Sequence, residues 1–159
     1  MENSRKKFGV AGDYAVLCPG AEYGPAKRWP YFRELSSKLN MQALILGSPS
    51  DEKASEGIPG KNLVGKTTLD EAIALIAGAR FVVTNDSGLM HVAAALGRPQ
   101  VALFGSSSPD QTPPQSPAAR VLWLHLECSP CYQRVCPLGH FRCMKELTPD
   151  RVLAETRNL

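Results

Sequence analysis

The stretch Phe81-Val82-Val83-Thr84-Asn85-Asp86-Ser87-Gly88-Leu89-Met90-His91 decides the fold. Its first four residues are an apolar run of strand-forming types, and from Ser87 a helical segment runs to Leu96, where Gly97 stops it. A strand that passes directly into a helix is the repeating joint of an α/β sheet.

The same joint recurs on either side. Tyr14-Ala15-Val16-Leu17-Cys18 reads as a buried strand closed by Pro19-Gly20, and Ala43-Leu44-Ile45-Leu46 as a second ended by Gly47-Ser48-Pro49. Val101 to Phe104 and Val121 to Leu124 are two more. Between them lie helical segments. One opens at Pro30 and presents Phe32, Leu35 and Leu39 on one face. Another opens at Thr68, where Glu71 completes a capping box, and carries Leu69, Ala72, Ile73 and Ile76 as its apolar stripe. A last helix begins at Thr148-Pro149 and continues through Val152, Leu153 and Thr156. The segment from Asp51 to Asn62 is short for a full crossover helix. Strands that are apolar throughout and separated by helices predict a Rossmann-like parallel sheet with helices on both faces. Ligands of such sheets bind beyond the carboxyl ends of the strands, where loops lead into helices.

A chain of 159 residues suits one domain. Residues 14–159 are expected to fold and residues 1–13 to form a flexible tail, with Arg5-Lys6-Lys7 as solvated charges. The net charge is only +3 and the basic residues are scattered, which argues against a nucleic-acid surface. The polar start has no signal-peptide core, and no apolar run reaches the roughly 18 residues of a membrane span. The expected location is the cytoplasm.

Three strand-to-helix loops carry unusual content. In Thr84 to His91 the helix start leaves backbone amides pointing outward, an anion site that the helix dipole strengthens. Gly88 lacks the side chain that would keep a phosphate from the backbone, and His91, four residues beyond Ser87, lies on the same face. Asp86 and Ser87 also read as plain helix caps, though the coincidence of Asp, Ser, Gly and a helix-facing His favours the anion site. The loop from Gly20 to Pro30 delivers Lys27 and Arg28, two cations suited to a diphosphate, or simply solvated; Trp29 reads as a packing anchor. In Gly47 to Glu52, Asp51 reads either as a carboxylate for ribose hydroxyls or as a helix cap. Cys128, Cys131, Cys136 and Cys143 fall close together with His140 among them. They are compatible with a zinc site, less readily an iron–sulfur site, although the spacing after Cys131 is not that of two clean Cys-x2-Cys knuckles; the other reading is reduced, partly buried thiols or disulfides formed on handling, and no metal is assigned. Cys18 reads as core.

Cys18-Pro19-Gly20 through Lys27-Arg28-Trp29-Pro30, Thr84-Asn85-Asp86-Ser87-Gly88-Leu89-Met90-His91-Val92-Ala93-Ala94-Ala95, Leu103-Phe104-Gly105-Ser106-Ser107-Ser108-Pro109 and Thr112-Pro113-Pro114 together resemble the lipopolysaccharide heptosyltransferases, in particular the heptosyltransferase II type. The resemblance runs from about Tyr14 to Leu159. It implies one half of a GT-B glycosyltransferase fold, in which two Rossmann-like halves face each other across a cleft. The carboxy-terminal half holds ADP-heptose; the amino-terminal half holds the lipopolysaccharide core acceptor and the presumed catalytic aspartate. By that resemblance, Gly20, Lys27, Asp51, Asp86, Ser87, Gly88 and His91 are donor-binding residues. Lys27 and the Ser87 and Gly88 amides face the diphosphate with His91 behind them, Asp86 contacts sugar hydroxyls, and Asp51 the ribose. No cofactor is implied, no general base is assignable in this chain, and peripheral association with the inner membrane is compatible with the acceptor. Full-length members are about twice as long, so the chain corresponds to their carboxy-terminal half and is expected to bind donor with little or no transferase activity alone. A related domain for another nucleotide sugar, or a non-catalytic nucleotide-binding or assembly module, are the rival readings.

Overall fold

In the computed structural model, residues 2–159 are described. Six strands form one sheet: β1 (Tyr14–Cys18), β2 (Gln42–Ile45), β3 (Lys61–Asn62), β4 (Phe81–Asn85), β5 (Gln100–Phe104) and β6 (Ala119–Trp123). Their order is β3-β2-β1-β4-β5-β6 and every neighbouring pair is parallel. This is the strand order of dinucleotide-binding Rossmann sheets, with its reversal point between β1 and β4. Every residue of β1, β4 and β5 is buried, which explains why these strands read as unbroken apolar runs rather than alternating ones.

Among the described residues, seven α-helices accompany the sheet: α1 (Glu2–Lys7), α2 (Phe32–Lys38), α3 (Glu52–Ser55), α4 (Leu69–Ala77), α5 (Gly88–Ala95), α6 (Arg142–Lys145) and α7 (Pro149–Thr156). Successive strand residues point to opposite faces, so each face acquires its own core. On one face Ala15, Leu17, Ile45 and Val83 meet Phe32 and Leu35 of α2 and Val152 of α7. On the other, Val16, Leu44 and Val82 meet Leu75 and Ile76 of α4 and Ala93 of α5. The buried Tyr14 hydroxyl donates to the Leu75 carbonyl at 2.6 Å, which fixes α4 against β1.

The predicted capping box of α4 is present: the Glu71 amide donates to Thr68 Oγ1 at 3.2 Å and the Thr68 amide to Glu71 Oε2 at 3.4 Å. The segment 51–62 holds only the single-turn α3 and the two-residue β3, in keeping with its shortness.

Elsewhere the structure departs from expectation. Leu69 is not part of the α4 stripe; it is 65% exposed, and Leu75 takes the core position instead. The helix expected from Pro30 starts at Phe32, with Tyr31 as its cap. The start of the chain, expected as a tail, carries α1. Lys7 pairs with Glu71 of α4 at 2.6 Å, Arg5 donates to the Gly12 carbonyl at 2.8 Å, and Val10 is buried. Contacts to residues far along the chain hold this segment, and short-range polarity does not reveal them.

Candidate functional site

The loops after β1, β2 and β4 meet at the carboxyl edge of the sheet around a cleft of about 760 Å³. Gly20, Lys27, Asp51, Asp86, Ser87, Gly88 and His91 all line it. Three sequence-distant loops therefore bring their singled-out residues to one place, at the reversal point of strand order.

Asn85, the last residue of β4, sets the frame. It is fully buried, and its side-chain amide donates to the carbonyls of Pro19 at 2.9 Å and Gly20 at 3.2 Å. Its carbonyl oxygen accepts from the Trp29 amide at 3.0 Å. One side chain thus ties down both ends of the loop that carries Lys27. Trp29 is the packing anchor expected of it: 2% exposed, edge-on to Tyr31 and Phe32, with its indole N–H donating to the Leu147 carbonyl at 2.7 Å.

Lys27 closes a short 3-10 turn, Pro25–Lys27, and reaches across to the other side of the reversal point. Its ammonium lies 2.8 Å from Asp86 Oδ2 and 4.7 Å from the centre of the Tyr23 ring. The same carboxylate oxygen accepts from Ser107 Oγ at 2.6 Å and Thr112 Oγ1 at 3.4 Å. Asp86 is therefore no helix cap; its charge holds Lys27 in place. An ammonium has three protons, so Lys27 can keep this partner and still donate into the cleft. Arg28, read with Lys27 as a second cation for a diphosphate, turns back instead and donates to the Ala21 carbonyl at 3.3 Å.

Ser87 occupies the N-cap position of α5 but makes no side-chain cap bond; its hydroxyl lies 3.3 Å from Thr84 Oγ1. The first-turn amides of α5 have no side-chain acceptor, and Ser87, Gly88 and Leu89 all line the cleft, where the helix dipole favours negative charge. A β-carbon built on Gly88 would meet nothing within 4 Å, so the space above those amides is open. His91 lies one turn further along the same rim, exposed.

Asp51 stands at the N-cap of α3 without a side-chain cap bond there; its carboxylate instead closes a capping box on the 3-10 turn Pro49–Asp51. Its Oδ2 accepts from the Ser48 amide at 2.9 Å and the Ser48 hydroxyl at 3.2 Å. It also explains Gly20: a β-carbon there would lie 2.1 Å from the Asp51 carboxyl carbon. Cys18 is a core thiol at the floor, and burial pushes it up to about 12, against the pull of the Thr84 hydroxyl. The far wall is apolar, formed by Leu69, Ala72, Leu89 and Val92.

Sequence reading missed Asn85, Ser107, Thr112 and Tyr23. Asn85 sat inside the quoted motif, and a buried amide ending a central strand was its available signal. Ser107 and Thr112 lie in segments that carry the resemblance, but their partner Asp86 is remote in sequence, as is Tyr132, the partner of Tyr23.

The profile of glycosyltransferase family 9 (heptosyltransferase) matches residues 1–142. The chain belongs to this family. Lipopolysaccharide heptosyltransferase 2 of Escherichia coli (strain K12) is 45% identical over 170 residues, covering 96% of this chain and 49% of that protein. The solved structure of E. coli ADP-heptose lps heptosyltransferase II superposes with a TM-score of 0.85 at 40% identity, over 99% of this chain and 50% of that one. E. coli heptosyltransferase WaaC, solved with ADP-2-deoxy-2-fluoro heptose, matches at 25% identity and a TM-score of 0.66, over 93% of this chain and 44% of that one. The chain spans about half the length of the curated relatives it matches. Among the described residues, no helix is long and apolar enough to cross a membrane.

Proposed function

We propose that this chain is the donor-binding half of an inverting heptosyltransferase that takes heptose from ADP-heptose to the inner core of lipopolysaccharide in the cytoplasm. The observation that carries the reading is the meeting of the Lys27 ammonium and the uncapped start of α5 on one cleft. A cation and free helix amides facing open space are what a diphosphate requires. Lys27 and the Ser87 and Gly88 amides bind the diphosphate, and His91 donates from behind. As the anomeric bond breaks, negative charge grows on the departing ADP, and Lys27 stabilises it there. Asp86, already holding Lys27, offers its remaining oxygen to sugar hydroxyls. Asp51 faces the ribose across Gly20. The apolar wall at Leu69, Leu89 and Val92 suits one face of the adenine ring.

The acceptor and the general base belong to the other half of the enzyme, as does any peripheral contact with the inner membrane. The chain alone accordingly binds donor and turns over little or none. Support comes from the family, from the coverage of about half of each relative, and from the WaaC structure solved with an ADP-heptose analogue.

Calorimetric titration of ADP and UDP into the chain tests this reading. ADP is expected to bind, and UDP at least about tenfold more weakly, a difference of about 1.4 kcal/mol. Equal affinity for the two would overturn the assignment of an adenine donor. Failure of both to bind would overturn the claim that this half carries the donor site by itself.

A further inference from the structure

Outside the donor cleft, Cys128, Cys131, Cys136 and Cys143 all line a single small cavity of about 180 Å³, under the loop that follows β5. All are free thiols. Cysteines gathered in a wall are ordinarily core, but two independent observations point to a ligand.

The first is the setting of Cys136. The Phe141 amide donates to its sulfur at 3.4 Å, and His140 Nδ1 lies 3.9 Å from the same atom. Gly139, at φ 73°, makes the left-handed turn that wraps the chain round the sulfur. An amide hydrogen bond to a cysteine sulfur is the kind of contact that accompanies thiolate ligands in metal sites. The second is Ser106. It is 1% exposed, lines the cavity, and its hydroxyl has no hydrogen-bond partner among the described residues. A buried hydroxyl left without a partner marks a place where something else belongs. A metal-bound thiolate would accept a hydrogen bond from it.

Histidine is the weaker fourth ligand. His140 Nδ1 already accepts from the Arg142 amide at 3.1 Å. Cys143 is fixed against the β5 loop, where a β-carbon on Gly105 would come within 2.9 Å of its sulfur. Among the described residues no group of three or more ligating side chains is already set to hold an ion, so the thiols must turn inward on the cavity they line.

We infer that Cys128, Cys131, Cys136 and Cys143 form a tetrathiolate site for a thiophilic divalent cation, zinc or iron(II), which clamps the 128–143 segment onto the loop carrying Lys27. Each thiol releases its proton to solvent as its sulfur binds the ion, with no change of oxidation state. Tetrahedral sulfur sets select these metals. The clamp acts through direct contacts. The Ala26 amide donates to the Arg134 carbonyl at 2.9 Å, and the Tyr23 hydroxyl donates to the Tyr132 carbonyl. The Tyr23 ring lies 4.7 Å from the Lys27 ammonium and 5.2 Å from the Arg134 guanidinium. Gly24 is packed so closely that a β-carbon would sit 2.7 Å from the Arg134 carbonyl oxygen. The metal site stands on its own; its effect on Lys27 rests on the donor-binding reading.

The test is metal content of the chain purified under reducing conditions, by plasma mass spectrometry, followed by exchange with cobalt(II). About one equivalent of zinc or iron is expected, with intense thiolate-to-cobalt charge-transfer absorption. Cys128→Ser with Cys143→Ser should abolish both signals, and Cys18→Ser should abolish neither. A wild-type chain with folded circular dichroism, negligible transition metal and no cobalt charge transfer would overturn the site. Chelation is expected to weaken ADP binding about tenfold, a shift of about 1.4 kcal/mol. An unchanged ADP affinity after full metal removal would overturn the clamp alone. A metal-loaded chain that binds no ADP would count against the donor reading, not the metal site.

Discussion

Replacing Lys27 by alanine separates the two jobs its ammonium performs. In the ligand-free protein it neutralises Asp86, whose side chain is only 5% exposed, across 2.8 Å. In the proposed donor complex it also donates to the diphosphate. A hydrogen bond between charged groups contributes about 1.5–3 kcal/mol, so its loss alone weakens ADP binding about 10- to 150-fold. The variant also leaves Asp86 facing the ligand unpaired. Two unit charges 5 Å apart at an effective dielectric of about 20 repel by about 3 kcal/mol before screening and relaxation. The loss in Lys27→Ala should therefore fall near the upper end, about 100-fold. Removing the repulsion, in Lys27→Ala with Asp86→Asn, should restore about tenfold of it. Ser107 and Thr112 still hold Asp86, so the single variant should lose only about 1–2 kcal/mol of stability, a fall in Tm of about 2–8 °C. The assay is calorimetric titration of ADP into the three proteins, with circular dichroism to confirm folding. Folded Lys27→Ala with wild-type ADP affinity would refute the reasoning. So would a double variant that binds more weakly than the single one.

Three further variants and labels test other parts of the site. Gly88→Ala places a methyl group in open space at the start of a helix, so its Tm should hold or rise, with a gain of up to about 1 kcal/mol. Its ADP affinity should drop, and unchanged calorimetry would remove the diphosphate from that position. Gly20→Ala drives a carbon into the Asp51 carboxyl group and should cost about 1–3 kcal/mol in thermal or urea melts. Adding Asp51→Ala should recover stability, and no recovery would show that the clash is not the cause. Burial raises the Cys18 thiol to about 12, so it stays protonated, and inert to iodoacetamide, at pH 8 in the native protein. Peptide mapping that finds Cys18 alkylated as fast in native as in urea-unfolded protein would contradict that placement.

What could be read in advance was whatever rests on local chemistry. The apolar runs at Tyr14–Cys18 and Phe81–Thr84 mark the central strands because both faces of those strands are covered. The Thr68–Glu71 box marks a helix start because its bonds span three residues. Roles set by remote partners were not legible. Asp86 carries the composition of a cap, yet it turns to Lys27, 59 residues away. Leu69 fits the helical stripe by spacing, but at the first turn of α4 it lines the cleft and stays exposed. Asn85 looks like any polar residue at a strand end, although it holds both ends of the Lys27 loop. Family resemblance joined the loops in advance; only folding puts Lys27 and Asp86 within bonding distance.

The most direct test of the account is a crystal structure of the chain with ADP-heptose bound. The diphosphate should lie at the reversal point of the sheet, within hydrogen-bonding distance of Lys27 Nζ and the Ser87 and Gly88 amides, with the adenine toward Leu69. A diphosphate bound anywhere else on the chain, out of reach of Lys27 and the start of α5, would contradict it.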